Sequence, residues 1–330
     1  VRSPDKLPVR RPRWPGVVGR VGLWLGVLAI VAFAFAFGEL PPDSLFVVLA
    51  VQPINLLALL FVALRFRALS GGSVPLWPST KAAALSSSLL YVFPTRISEF
   101  VKPVYLAAQC NLSLLRGTAL LAMERFIDVL IVASLLGLGA LLLANDQLGS
   151  ALLVWGSIAS AVILVCLAVL FCPDRIQSVA SLLPSQWLKD VAARFVDEMR
   201  LTVSPDRIVL AFFWSSLAWM ASFVVVHIVI NASGSVPLTQ SQSFLVFMAG
   251  TVGIAAAVVP GGLGTFEAAI VVSLAAHGYT VGEALALSVL LRAANLGFVP
   301  LLAAWTIVRD GVGLAALAKE IQKLREQVRN

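Results

Sequence analysis

The sequence predicts an all-α polytopic membrane protein, and three observations carry that prediction. Apolar residues make up 59% of the 330-residue chain and charged residues only 12%, about half of the roughly 25% usual in a soluble domain. Several runs reach the length of about 20 apolar residues that a bilayer crossing needs. Two further apolar stretches are interrupted at matching places in the two halves. KAAALSSSLLYVFPTRISEFVKPVYLAAQC breaks at Pro94, and SFLVFMAGTVGIAAAVVPGGLGTFEAAIVVSLAAHG breaks at Pro260-Gly261-Gly262.

The expected crossings lie at roughly 17–37, 44–64, 117–143, 151–171, 207–230 and 283–308. The interrupted stretches give pieces of 82–93 with 96–109 and 242–259 with 263–277. Most of these are too short to cross alone, so two re-entrant helical hairpins fit them better. The predicted architecture is therefore six full transmembrane helices plus two re-entrant hairpins in an inverted-repeat arrangement. Three regions follow: a basic N-terminal segment over 1–16, one transmembrane domain over 17–309, and an amphipathic tail over 310–330.

Charge sets the expected orientation. Net charge is +7, and the basic residues fall mainly in loops and termini, as positive-inside topology requires. Arg2, Lys6, Arg10, Arg11, Arg13 and Arg20 put the N-terminus in the cytoplasm. Arg65, Arg67 and Lys81 put 65–81 on the same side, while Glu39 and Asp43 mark an outer loop. With a first hairpin that returns to its own side, the basic loop 173–206 and the basic C-terminus are also cytoplasmic. Within that loop, Val191, Phe195 and Met199 alternate with charged residues at near-helical spacing, the pattern of an interfacial helix. This is the topology of a bacterial cytoplasmic-membrane protein. No nucleic-acid module is present, and no cofactor or metal motif. Cys110, Cys166 and Cys172 form no CxxC pair, and His227 and His277 lack ligand spacing.

Ionisable groups inside apolar segments are costly, so each is a functional candidate. Arg96, Glu99 and Lys102 follow the first break and share roughly one flank of a helix. A helix N-terminus beside Arg96 would suit a phosphate. Glu124, Arg125 and Asp128 lie together in LLAMERFIDVLIV. Gly261 and Gly262 open the second break, a glycine-rich turn able to cradle an anion, with Glu267 just beyond. Arg292 and Asn295 follow in LLRAANLGF. Matching placement pairs Glu99 with Arg125 and Glu267 with Arg292.

FPTRISEFVKPVYLA followed by MERFIDVL, then VPGGLGTFEAAI followed by LLRAANLGFVPLL, resembles the flippase-like family of lysylphosphatidylglycerol synthase membrane domains, over roughly residues 15–310. The resemblance implies a polytopic fold with re-entrant helices and a role in moving lipids between leaflets. It is to a stand-alone member without the synthase domain, so neither synthase activity nor the lysyl lipid is carried over. The expected function is a lipid translocase moving a phospholipid, an aminoacylated phospholipid or a lipid-linked glycan. Its partner is the membrane lipid itself, with a second copy or a partner synthase as protein partners. The alternative is a membrane-embedded lipid or glycosyl transferase using Asp43 or Glu99 as base.

Overall fold

The computed structural model describes residues 43–91, 95–110, 112–142, 157, 161, 185–202, 204–255 and 259–310. The segment 1–16, the crossing at 17–37, nearly all of 151–171, loop residues 173–184 and the tail beyond Asp310 lie outside the described residues. Within those described, all regular structure is helical.

In chain order the α-helices are α1 (Ser44–Ala50), α2 (Gln52–Leu69), α3 (Leu76–Leu89), α4 (Val101–Cys110), α5 (Leu114–Leu142), α6 (Gln186–Thr202), α7 (Pro205–Ser233), α8 (Gln240–Ala255), α9 (Thr265–Ala275), α10 (Val281–Leu296) and α11 (Val299–Asp310). Short 3-10 turns at Thr95–Phe100 and Pro260–Gly262 sit at the two breaks. Local chemistry explains several boundaries. Pro205 occupies the first turn of α7, where its missing N–H costs nothing, and Gly234 ends that helix. Thr280 caps α10 by accepting the N–H of Glu283 at 3.2 Å.

Among the described residues three stretches are long and apolar enough to cross a membrane: Ser44–Leu69, Pro205–Ser233 and Val281–Asp310. Two of them are not continuous helices. The first is interrupted at Val51, before Pro53. The last, expected as one crossing over 283–308, is interrupted at Gly297, whose φ of +27° no other residue readily adopts. Many large apolar side chains, Phe46, Val209, Val272 and Val281 among them, are exposed on the outer surface, as lipid-facing positions are.

The broken stretches fold back on themselves. A Cβ on Gly250 would meet Phe266 and Ile270, and one on Gly253 would meet Thr265, Phe266 and Ala269. Later positions of α8 thus face earlier positions of α9, so the pair is an antiparallel hairpin. In the first half α3 packs on α4, and Lys81 and Tyr105, one from each leg, both bond Asp310. The two breaks then meet. The Gly261 N–H donates to the Leu90 carbonyl at 2.8 Å, and the Tyr91 ring lies where a side chain on Gly261 would go.

Burial divides the molecule into two cores. One gathers Leu59 and Phe66 of α2, Ala82–Leu85 of α3, Tyr105 and Leu106 of α4, and Leu120, Met123, Ile127 and Ile131 of α5. The other gathers Val225, Val226, Val229 and Ile230 of α7, Val246–Met248 of α8, Phe266, Ile270 and Leu274 of α9 and Leu287, Leu290, Leu291 and Ala294 of α10, while α7 also lends Ala211 to the first. Each half therefore runs in the same order: a long helix, a hairpin, then a helix carrying an arginine. The expectation of two equivalent halves rests on this order. Residues 65–81 need a correction. They are not one loop: Arg65 lies within α2 and Lys81 within α3, and both are buried. Their charges are neutralised inside the protein, so they do not report orientation.

The close approach within the second hairpin makes a prediction. A Cβ on Gly253 would lie 2.7 Å from the Thr265 carbonyl oxygen, whereas one on Gly137 meets nothing within 4 Å. Gly253→Ala is expected to lose about 1–3 kcal/mol of stability. Gly137→Ala is expected to be neutral or to gain up to about 1 kcal/mol. Thermal unfolding of the two purified variants in detergent checks the contrast.

Candidate functional site

The first charged cluster is assembled from five segments. Its centre is Glu124 of α5, whose side chain is 0% exposed. Arg65 of α2, Lys102 of α4 and Arg125 of α5 all converge on it. Arg65 pairs with Glu124 through Nη2 and with Asp128 through Nη1 at 2.5 Å. Lys102 Nζ donates to both carboxylate oxygens of Glu124, at 2.7 and 2.8 Å. Arg125 Nη2 reaches Glu124 and Asp128, each at 3.1 Å. Helix α7 closes the cluster: Ser215 Oγ accepts from Arg65 at 3.0 Å, and Trp219 Nε1–H donates to Asp128 at 3.3 Å.

The expected pair of Glu99 with Arg125 is present, but it is the loosest contact in the group, at 3.5 Å. Arg125 is also the most open member, with 37% of its side chain exposed, beside Glu99 at 17% and Asp128 at 15%. Its Nε–H, turned inward, has no acceptor among the described residues. Glu99 and Lys102 do not lie on one helix, as the sequence spacing suggested. The chain runs as a 3-10 turn through Phe100 and becomes α-helical only at Val101. The tighter turn sends Glu99 to Arg125 and Lys102 to Glu124. Arg96 lies in that 3-10 turn rather than at a helix N-terminus, and its side chain is outside what the structure describes.

The second cluster is smaller and closed. Arg292 of α10 is 3% exposed and donates Nε–H to Glu267 at 2.5 Å, the other expected pair. Its Nη1 donates to the Gly261 carbonyl at 2.7 Å and its Nη2 to the Gly262 carbonyl at 3.3 Å. The guanidinium also lies over the Phe266 and Tyr91 rings. The glycine turn thus presents carbonyls to a cation in this structure. The start of α9 is served by an internal anion, since Glu267 also accepts the Gly264 N–H at 2.7 Å. Asn295 is half-buried one turn beyond Arg292.

Sequence reasoning missed Arg65, Ser215 and Trp219 in the first cluster and Tyr91 in the second. Arg65 carried a signal, a single charge near the end of a long apolar run, but loop assignment absorbed it. The other three are ordinary apolar-segment residues, placed only by folding.

This is an integral membrane protein whose two broken helical hairpins meet, each tied by a glutamate–arginine pair to the helix that follows. The model of the lysylphosphatidylglycerol synthase TM region matches residues 17–304, and the chain belongs to that family. No curated protein and no solved structure matches it.

The two clusters predict unequal sensitivities. Glu124→Gln leaves three buried or half-buried cations around a neutral group, and a loss of about 3–5 kcal/mol is expected. Arg125→Gln removes a more open charge, and about 1 kcal/mol or less is expected. Thermal unfolding under identical conditions reads both. Comparable losses for the two would contradict the assignment of Glu124 as the structural centre.

Proposed function

We propose that this chain is a lipid translocase in which Arg125 contacts the headgroup phosphate as the lipid passes between leaflets. The observation that carries this is the unequal use of the buried cations. Arg292 and Lys102 are almost fully buried against protein acceptors, whereas Arg125, although it reaches Glu99, Glu124 and Asp128, keeps 37% of its side chain exposed. An exposed guanidinium face is what an incoming anion needs. The meeting of two breaks supports the same reading, because irregular backbone at membrane depth is tolerated beside protein or a polar path. Glu99 and Asp128 flank Arg125 and suit an amine on the headgroup, while Glu267 holds Arg292. Arg96, Asn295 and the Gly261–Gly262 turn complete the proposed path.

The same reading places the chain in a bacterial cytoplasmic membrane as a domain over 17–309. Segments 1–16, 173–206 and 309–330 face the cytoplasm, and the hairpins enter from opposite faces as an inverted repeat. A cysteine at position 190, in a background lacking the three native cysteines, should label from the cytoplasmic side of oriented vesicles. Labelling only from outside would overturn the re-entrant topology. The partner is a membrane lipid, with a second copy or a synthase as protein partners.

The functional test is leaflet-specific. Full-length protein is reconstituted in liposomes, and headgroups are labelled from one side with an impermeant amine reagent. Arg125→Gln is expected to slow redistribution at least about tenfold, the value of one charge-assisted hydrogen bond. Glu267→Ala should also slow it by freeing Arg292. If folded Arg125→Gln redistributes lipid at the wild-type rate while a lipid product disappears, the transferase reading replaces this one.

A further inference from the structure

The two interrupted crossings exchange partners between the halves. Val51, with Val47 and Val48 of α1 and Ile54 at the start of α2, packs in the second core, while α2 from Leu59 onward packs in the first. At the other end of the chain, α10 belongs to the second core, while Val299 and Ala303 of α11 pack in the first. Each broken helix thus has one piece in each half, and its break lies at the boundary. Polar contacts repeat the division. Arg292 ties α10 to the second hairpin through Gly261, Gly262 and Glu267. Asp310 ties α11 to the first hairpin through Lys81 at 2.7 Å and Tyr105 at 2.6 Å.

One side chain joins the two breaks. Gln52, 1% exposed, begins α2 just after the Val51 interruption. Its Nε2 donates to the Val48 carbonyl at 2.7 Å and to the Ala294 carbonyl at 3.0 Å. Its Oε1 accepts the Phe298 N–H at 3.1 Å. The Gln52 amide therefore satisfies backbone groups on both sides of the Gly297 break. Asn55 adds a second donor to Ala294, at 2.8 Å. A Cβ on Gly297 would fall on the Gln52 amide, so glycine is needed there for passage of the side chain as well as for its positive φ.

We infer that Gln52 and Gly297 form a pivot between the two halves, with Gln52 as the positioning residue that sets their relative placement. Helix breaks are where large φ/ψ changes are absorbed, and the unbroken α7, with Ala211 in the first core and Val225 in the second, is the element along which the halves would turn. Movement of one half against the other would part the Leu90–Gly261 contact between the hairpin tips. Use of the pivot for transport rests on the translocase reading; the pivot itself rests on the packing.

The test uses full-length protein in lipid nanodiscs, with spin labels on cysteines in a background free of native cysteines. Val129 on α5 and Val272 on α9 are exposed and report the distance between the halves. Val252 with Val272, and Phe100 with Val129, report distances within each half. Gln52→Leu is expected to shift the between-half distance by at least about 2 Å, the scale of a packed-element movement, and to leave both within-half distances unchanged. Asn55→Leu, which removes only one of the bonds to Ala294, should give a smaller shift of the same kind and serves where Gln52→Leu does not fold. An unchanged between-half distance, or equal changes within the halves, overturns the pivot. Should the shift occur while the wild-type chain moves no lipid, the pivot stands and the translocase reading falls. Should the wild-type chain move lipid without any shift in the variants, only the pivot falls.

Discussion

An ionised side chain in an apolar interior must find its counter-charge within the same interior, and the structure is arranged around that constraint. Glu124 is the clearest case. A fully buried carboxylate costs several kcal/mol unless it is paired and hydrogen-bonded. Here its oxygens receive Arg65, Lys102 and Arg125. Those groups come from α2, α4 and α5, so neutralising one charge fixes three helices against one another. Ser215 and Trp219 bring in α7 by the same rule. Packing alone gives little orientation among helices in lipid, because their surfaces are no more apolar than the tails around them. Directional polar contacts supply what the hydrophobic effect cannot.

The same rule applied to backbone explains the breaks. Each interruption frees N–H and C=O groups that water cannot reach in a bilayer. At Gly261 and Gly262 the freed carbonyls are taken by Arg292. At Gly297 and Val51 they are taken by the Gln52 and Asn55 amides. At the hairpin junction one break serves the other, through Gly261 and Leu90. The breaks are thus satisfied by partners from other segments, which makes them joints between parts of the fold.

Not every charge is equally committed. Arg292 spends all three of its nitrogens on protein acceptors and is 3% exposed, while Arg125 keeps an open face. The difference follows from position. Arg292 sits beneath the glycine turn, where bare carbonyls surround it. Arg125 sits where Glu99 approaches only loosely from a 3-10 turn. The glutamate–arginine pairs of the two halves therefore differ in exposure, although the halves run in the same order.

Composition and periodicity determined that this chain is helical and lives in a membrane, because scarcity of charge over long apolar runs leaves no other stable state. Gly261 and Gly262 marked the second break, because positive φ at both positions suits glycine and does not continue a helix. Equivalent spacing of Glu99 with Arg125 and of Glu267 with Arg292 was enough to pair them, because a buried charge leaves few choices. Spacing could not show that Lys102 turns to Glu124, because a 3-10 turn replaced the expected helix start. Nor could it place Arg65 and Lys81 in the interior, since a basic residue near the end of an apolar run reads equally as a loop anchor. The Gln52–Gly297 contact joins residues at opposite ends of the chain. Only the packing of the two halves brought them together, because a side-chain amide satisfies whichever freed backbone groups the fold sets beside it.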